Sequence, residues 1–157
     1  MGDMNHFDEQ GNARMVDVSD KDITRRTATA QGAIKVSREV MDAIQGKKVK
    51  KGDVLTVAQT AGIMGTKRTP DIIPMCHPLS LTNAEVRFEI DEEACIITAF
   101  CTVVTEGKTG VEMEALTGVS VSLLTIYDMC KAIDKRMSFS DIHLVEKTGG
   151  KSGDFKY

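Results

Sequence analysis

Apolar and polar positions along the chain follow two periods, and each change of period marks an element. In "TATAQGAIKV" (27–36), Ala28, Ala30, Ile34 and Val36 fall on one side and Thr29, Gln31 and Lys35 on the other. That is the period of a half-buried strand. Ser37 then stands at a helix N-cap position before "REVMDAIQG", where Val40, Met41 and Ile44 make a short apolar stripe and Gly46 a stop. The basic run "KKVKKG" (47–52) leads to Asp53, a second cap candidate, and to "VLTVAQTAGIMG" with Leu55, Ala58, Gly62 and Ile63 at helical spacing. "TKRTPDIIPMCHPLS" has three prolines in nine residues and predicts a stiffened loop. "AEVRFEI" alternates strictly, with Ala84, Val86, Phe88 and Ile90 inward and Glu85, Arg87 and Glu89 outward. "DEEA" reads as a hairpin turn, and "CIITAFCTVV" as a strand apolar on both faces and therefore central. Residues 110–135 predict a long helix, alone or after a strand end. "KRMSFSDIHLVEK" closes the sheet and "TGGKSG" is a glycine loop.

The order β-α-(α)-β-β-α-β predicts an α+β fold of the ferredoxin-like (split βαβ) kind, an antiparallel sheet with helices packed on one face. At 157 residues the expectation is a single catalytic domain, 1–157, with 1–13 a flexible arm and 148–157 a flexible tail. The long helix carries a further expectation. Val119, Leu123, Ile126, Cys130 and Ile133 form one apolar stripe that can face the sheet. The other side holds Val121 and Leu124, followed by Asp128 and Lys131. A helix apolar on two faces needs two covers. A two-layer domain supplies one, so the second is expected from a neighbouring subunit, with Asp128 and Lys131 near that interface.

Composition narrows the class. A net charge of −3 leaves no nucleic-acid footprint at the level of the whole chain. No apolar run approaches the roughly 20 residues of a membrane helix, and the polar start lacks the apolar core of a secretory signal. Cysteines 76, 95, 101 and 130 form no CxxC pair. They are expected as reduced thiols in a cytoplasmic protein.

The candidate chemistry begins at "PMCHP", where Cys76 and His77 stand side by side between prolines. Zinc needs about four ligands at chelating spacing, and adjacent side chains in an extended loop diverge. The same divergence argues against a Cys–His catalytic pair. Cys95 and Cys101, six apart in one strand, share a face that reads as core. Two readings stay open: a structural loop with a solvated His77, or a stiff loop that offers an imidazole to a ligand at little entropic cost. In "TEGKTGVEMEALTG", Glu112 and Glu114 flank Met113. They suit the first turn of a helix electrostatically, and they also suit the donor groups of a guanine-like ring. "GKTG" lacks the full phosphate-loop pattern. Lys21, Arg25, Arg26, the 47–52 run, Lys67, Arg68, Lys147 and Lys151 concentrate cations in loops. An acidic chain arranged so can hold a polyanionic small ligand such as a triphosphate.

Three stretches carry a resemblance: "PMCHPLSLTNAEV", "VTEGKTGVEMEALTGVSVSLLTIYDMCKAIDK" and "GGKSG". The chain, from "MVDVSDKDITRRTATAQG" to its end, resembles the cyclic pyranopterin monophosphate synthase family, protein C of molybdenum-cofactor biosynthesis. The resemblance implies a lyase, with no cofactor of its own, that converts (8S)-3′,8-cyclo-7,8-dihydroguanosine 5′-triphosphate to cyclic pyranopterin monophosphate and pyrophosphate. Whether magnesium accompanies the triphosphate is left open. It further implies a homohexamer, a trimer of dimers with sites at dimer interfaces. Lys51, Asp128 and Lys131 match the family's catalytic group. Met75, Cys76, His77, Met113 and Glu114 match substrate contacts, with Glu112 beside them, and Arg26, Lys67, Lys147 and Lys151 match phosphate-side groups. No metal ligand and no membrane or nucleic-acid partner is implied. Two rival readings follow from the residues alone: a nucleotide-binding module without turnover, and a metal-dependent hydrolase at Cys76 and His77.

Overall fold

The computed structural model describes residues 6–46 and 53–157, so Lys51 and the rest of the 47–52 run lie outside the described residues. The half-buried first strand and the strand apolar on both faces lie at the centre, and the strictly alternating "AEVRFEI" strand lies at the edge. β1 (Thr24–Lys35) pairs with β3 (Ile96–Gly107) along its whole length, from Thr24 opposite Gly107 to Lys35 opposite Ile96. β2 (Leu81–Asp91) flanks β3, and β4 (Ser138–Thr148) flanks β1 with register shifts after Thr29 and Gln31. All pairings are antiparallel and the order is β2-β3-β1-β4, extended by a two-residue β5 (Phe155–Lys156) on the β4 edge. This is the expected ferredoxin-like arrangement, an open antiparallel sheet with two split crossovers.

The first crossover holds α1 (Arg38–Gln45), α2 (Val54–Thr66) and a short α3 (Thr69–Ile72); the second is α4 (Glu112–Cys130). Both expected N-caps are present. Ser37 Oγ accepts from the Val40 N–H at 3.2 Å and Asp53 Oδ1 from the Thr56 N–H at 3.0 Å. Alternate residues of β1 and β3 (Ala28, Ala30, Ile34; Ile97, Ala99, Cys101, Val103) are buried with Val119, Leu123 and Ile126 of α4 in one core. Among the described residues the opposite sheet face carries no helix and has polar contacts such as Thr29 to Thr102 at 2.9 Å and the Arg87 guanidinium 3.8 Å above Phe100.

Several expectations need correction. Val121 is covered within its own chain, because α2 packs against α4 so closely that a Cβ on Gly65 would stand 2.9 Å from Val121 Cγ2. At the same crossing a Cβ on Gly62 would meet Ser122 Oγ at 2.0 Å and the Gly118 carbonyl at 2.9 Å. Small residues therefore set the distance between the helices. Only Leu124, 57% exposed, keeps the second apolar face open. Ile133 lies past the end of α4 and is 40% exposed, so the stripe stops at Cys130. Cys95 precedes β3 in the hairpin turn with φ 54° and does not share a strand with Cys101. The proline-rich segment is not all loop, since Pro70 falls in the first turn of α3, where a missing N–H costs nothing. Residues 6–14 close a small loop, with Asp8 accepting from the Gln10 and Asn12 N–H groups and Phe7 bridged to Ala13. After the glycine loop, β5 returns the chain to the sheet, and Tyr157 stacks 4.2 Å from His143.

Candidate active site

The loop after α3 and the first turn of α4 meet because both are tied to the β2–β3 end of the sheet. Cys76 N–H donates to the Ile73 carbonyl at 3.1 Å, Leu79 packs on the core, and buried Thr105 of β3 donates its hydroxyl to the Ser80 carbonyl at 2.7 Å. Between these anchors Met75, Cys76 and His77 face Glu112, Met113 and Glu114 across a cavity of about 280 Å³. His6, Val16, Val18, Lys21 and Leu79 complete its wall. The expected ring-binding residues are thus together in one place.

Their electrostatics differ. Glu114 is 3% exposed, and burial pushes its carboxyl up to about 7, with the Glu112 charge adding to the rise and a hydrogen bond from its own backbone N–H opposing it. Near neutral pH it can hold or release a proton. Glu112 is ion-paired to Lys147, with Nζ 2.8 Å from Oε1, and its carboxylate occupies the space a Cβ on Gly110 would need. Burial, helped by the Glu114 charge, pushes the Cys76 thiol up, which keeps it a thiol and makes a nucleophilic role unfavourable. His77 Nε2 lies 2.7 Å from the Val16 carbonyl. A carbonyl only accepts, so neutral His77 carries its proton on Nε2 and presents Nδ1 as an acceptor. Among the described residues no group of three or more His, Cys, Asp or Glu is placed to hold a metal.

The cavity continues into a second of about 180 Å³ lined by Lys21, Arg26, Glu112, Lys147 and Ser152, and then into a third with Lys21, Arg26 and Lys151. Arg26 is steered there by two contacts. Its Nε donates to the Gly107 carbonyl at 3.0 Å, and its Nη1 lies 2.1 Å from where a Cβ on Gly150 would be. With φ +85°, Gly150 suits a residue without a side chain on both counts. Three of the four expected phosphate-side cations, Arg26, Lys147 and Lys151, therefore line one continuous groove. Lys67, the C-cap of α2, lines none of these cavities.

Asp128 and Lys131 are not part of this groove in the single chain. They sit at the far end of α4, ion-paired at 2.6 Å and about half exposed. The Asp128 hydrogen bond and charge hold the Lys131 ammonium above its ordinary value, not below it as proton transfer at neutral pH favours. Fourteen residues of straight helix separate Glu114 from Asp128 by about 21 Å at 1.5 Å per residue. Val16 and Val18 are lining residues that motif reading passed over, whereas Lys21 stood among the loop cations. The alternation in "MVDVS" was their only signal, and it is short.

Comparison with known proteins identifies the chain's relatives. The MoaC family model matches residues 15–150. The chain is 58% identical over 151 residues to the cyclic pyranopterin monophosphate synthase of Peptoclostridium acidaminophilum, covering 96% of this chain and 95% of that one. It is 57% identical to the protein of the same name from Heliobacterium modesticaldum, over 99% and 98% of the two chains. For Desulfitobacterium hafniense the figures are 59%, 98% and 93%. The family match spans β1 to β4 and α1 to α4, including the Met75–His77 and Glu112–Glu114 stretches, and the chain belongs to the MoaC family.

Proposed function

We propose that this chain catalyses the cyclic pyranopterin monophosphate synthase reaction, a pyrophosphate-releasing cyclisation in molybdenum-cofactor biosynthesis. The substrate is (8S)-3′,8-cyclo-7,8-dihydroguanosine 5′-triphosphate. The observation that carries the reading is the groove, whose carboxylate-and-imidazole end opens directly into its cationic end. The guanine-derived ring sits between the Met75–His77 loop and Glu112–Glu114, which accept hydrogen bonds from its N–H groups. The triphosphate runs past Arg26, Lys147 and Lys151, which neutralise charge as pyrophosphate leaves.

Two kinds of bond change are needed. The purine-derived ring opens and recloses as a pterin through proton transfers without net redox. A ribose-derived hydroxyl then attacks the α-phosphorus, its proton passes to a base, and the bond to the β-phosphate oxygen breaks. Glu114, poised near 7, suits one of these transfers. Lys51, Asp128 and Lys131 supply the others in our reading, and this requires a second chain. The length of α4 keeps Asp128 away from Glu114 of the same copy, and Leu124 next to the Asp128–Lys131 pair is exposed. A homodimer that brings the end of one α4 to the start of the other completes the pocket, and three such dimers make the proposed hexamer. Four cysteines without a CxxC pair suit a cytoplasmic setting. No cofactor of the protein's own takes part, and chelation tests whether magnesium travels with the triphosphate.

The test is pyrophosphate release from the cyclised nucleotide by the purified protein, with Lys51→Ala and Asp128→Asn alongside. Release by the wild type with loss in both variants is expected. No release by the wild type rejects the function, and wild-type rates in both variants reject the catalytic assignment.

A further inference from the structure

The ring end of the groove is rich in acceptors and short of donors. Glu112 and ionised Glu114 only accept, and neutral His77 commits its N–H to the Val16 carbonyl at 2.7 Å. The Cys76 thiol is a weak donor. A guanine-type ring needs both kinds of partner: its N1 and exocyclic amino groups donate, and its ring carbonyl accepts. Three side chains of the cavity wall carry a strong donor with no partner among the described residues, namely His6, Lys21 and Thr109. Lys21 and Thr109 also line the second cavity, at the cationic end, and His6 does not.

His6 is delivered to the cavity by a built element. The Arg14 N–H donates to the His6 carbonyl at 2.9 Å, Phe7 is bridged to Ala13, and the Asp8 N–H donates to the Asn12 carbonyl at 2.9 Å. Inside this hairpin the Asp8 carboxylate accepts from the Gln10 N–H at 3.0 Å, the Asn12 N–H at 2.8 Å and Asn12 Nδ2 at 3.0 Å. These bonds, that of the Asn12 side chain first, hold the Asp8 carboxyl below its ordinary value. Gly11 turns the chain at φ +82°, where a side chain would be strained. Shortly after Arg14 the chain reaches Val16, whose carbonyl meets His77. The hairpin and the Met75–His77 loop are therefore tied to one short run of backbone. A residue on so closed a hairpin loses little backbone freedom when it engages a ligand.

We propose that the 6–14 hairpin closes the ring end of the pocket and that His6 donates an imidazole N–H to the carbonyl oxygen of the guanine-derived ring. The hairpin then distinguishes a guanine-type ring from one without that carbonyl. This rests on the proposed function above and adds to it a ring-recognition residue outside the family-matched residues 15–150. A neutral imidazole suits the place better than an ammonium. It supplies the donor without a fixed positive charge that Glu112 and Glu114 would draw to themselves.

The experiment measures dissociation constants of GTP and of 2-aminopurine riboside 5′-triphosphate for the full chain, wild type and His6→Leu, with pyrophosphate release from the cyclised nucleotide alongside. The analogue lacks the ring carbonyl and the N1 proton, so the ratio of variant to wild type is compared for each nucleotide separately. In His6→Leu, GTP binding and kcat/KM should each weaken by about 5- to 50-fold, the effect of leaving one buried acceptor unpaired, while binding of the analogue changes by less than about twofold. Asp8→Ala, which unties the hairpin, should show the same loss of discrimination with His6 still present. Equal weakening for both nucleotides assigns His6 to the shape of the wall and overturns the proposal, as does unchanged GTP binding in His6→Leu. Intact discrimination in Asp8→Ala overturns the part given to the hairpin. Absence of pyrophosphate release by the wild type overturns the proposed function and this inference together, whereas wild-type release with kcat/KM unchanged in His6→Leu overturns this inference alone. His6 is exposed, and an unchanged melting temperature confirms that the variants are folded.

Discussion

At pH 8 the Glu114→Gln variant should be more stable than the wild type and much less active. Glu114 lies 3% exposed in the first turn of α4, next to Glu112 and facing Cys76, His77 and Lys21. Its carboxyl is raised to about 7 from the ordinary 4.5 chiefly by burial. For an acid raised in the folded state, the folded chain keeps a proton that the unfolded chain releases between those two values. Stability from this group is therefore full below pH 4.5, falls as pH rises towards 7, and stays low above it. At 1.36 kcal/mol per pH unit, the gap costs the folded chain about 3 kcal/mol at pH 8. Glutamine has the same shape and no charge to bury, so the variant escapes that cost. Urea unfolding of both proteins at pH 4 and pH 8 measures it. The stability difference should move in favour of the variant by about 3 kcal/mol over that range, while pyrophosphate release at pH 8 falls by about 100-fold or more. A difference that does not change with pH would mean that Glu114 ionises like a surface carboxylate, and the argument from burial would fail.

Other consequences follow from individual contacts. Lys147→Met removes the cation 2.8 Å from Glu112 and one cation of the second cavity, and should reduce pyrophosphate release by about 100-fold without changing the melting temperature greatly. Gly62→Ala improves intrinsic helix propensity by about 1 kcal/mol but places a methyl 2.9 Å from the Gly118 carbonyl. Overpacking of this kind costs about 1–3 kcal/mol, so denaturant unfolding should show a net loss; a gain would mean that the α2–α4 distance is not set by glycine.

Local signals with local causes were legible before the structure. Ser37 and Asp53 were visible as caps because a cap is satisfied within three residues. The alternation of Val86 and Phe88 against Glu85 and Arg87 revealed β2 for the same reason. The cover over Val121 was not visible, because it depends on Gly65 and Gly62 in another helix, and helical spacing says nothing about which helix will pack there. β5 was missed because two residues after a glycine loop have no periodicity to read. At the site, the Met75–His77 and Glu112–Glu114 stretches were recognisable as motifs, and the fold places them across one cavity. The upward shift at Lys131 could not be read from spacing, since its sign depends on the partner the side chain finds and on exposure to solvent.

The account depends most on a pocket shared by two chains, and mixing two inactive variants tests that directly. Glu114→Gln and Asp128→Asn are each expected to be inactive alone, and the two are dissociated, mixed in equal amounts and reassembled. If Glu114 of one copy works with Asp128 of the other, half of the dimers are mixed and each carries one intact site. Pyrophosphate release should then recover to about one quarter of the wild-type rate. A mixture that stays as inactive as its components, with exchange of chains verified, contradicts the shared pocket.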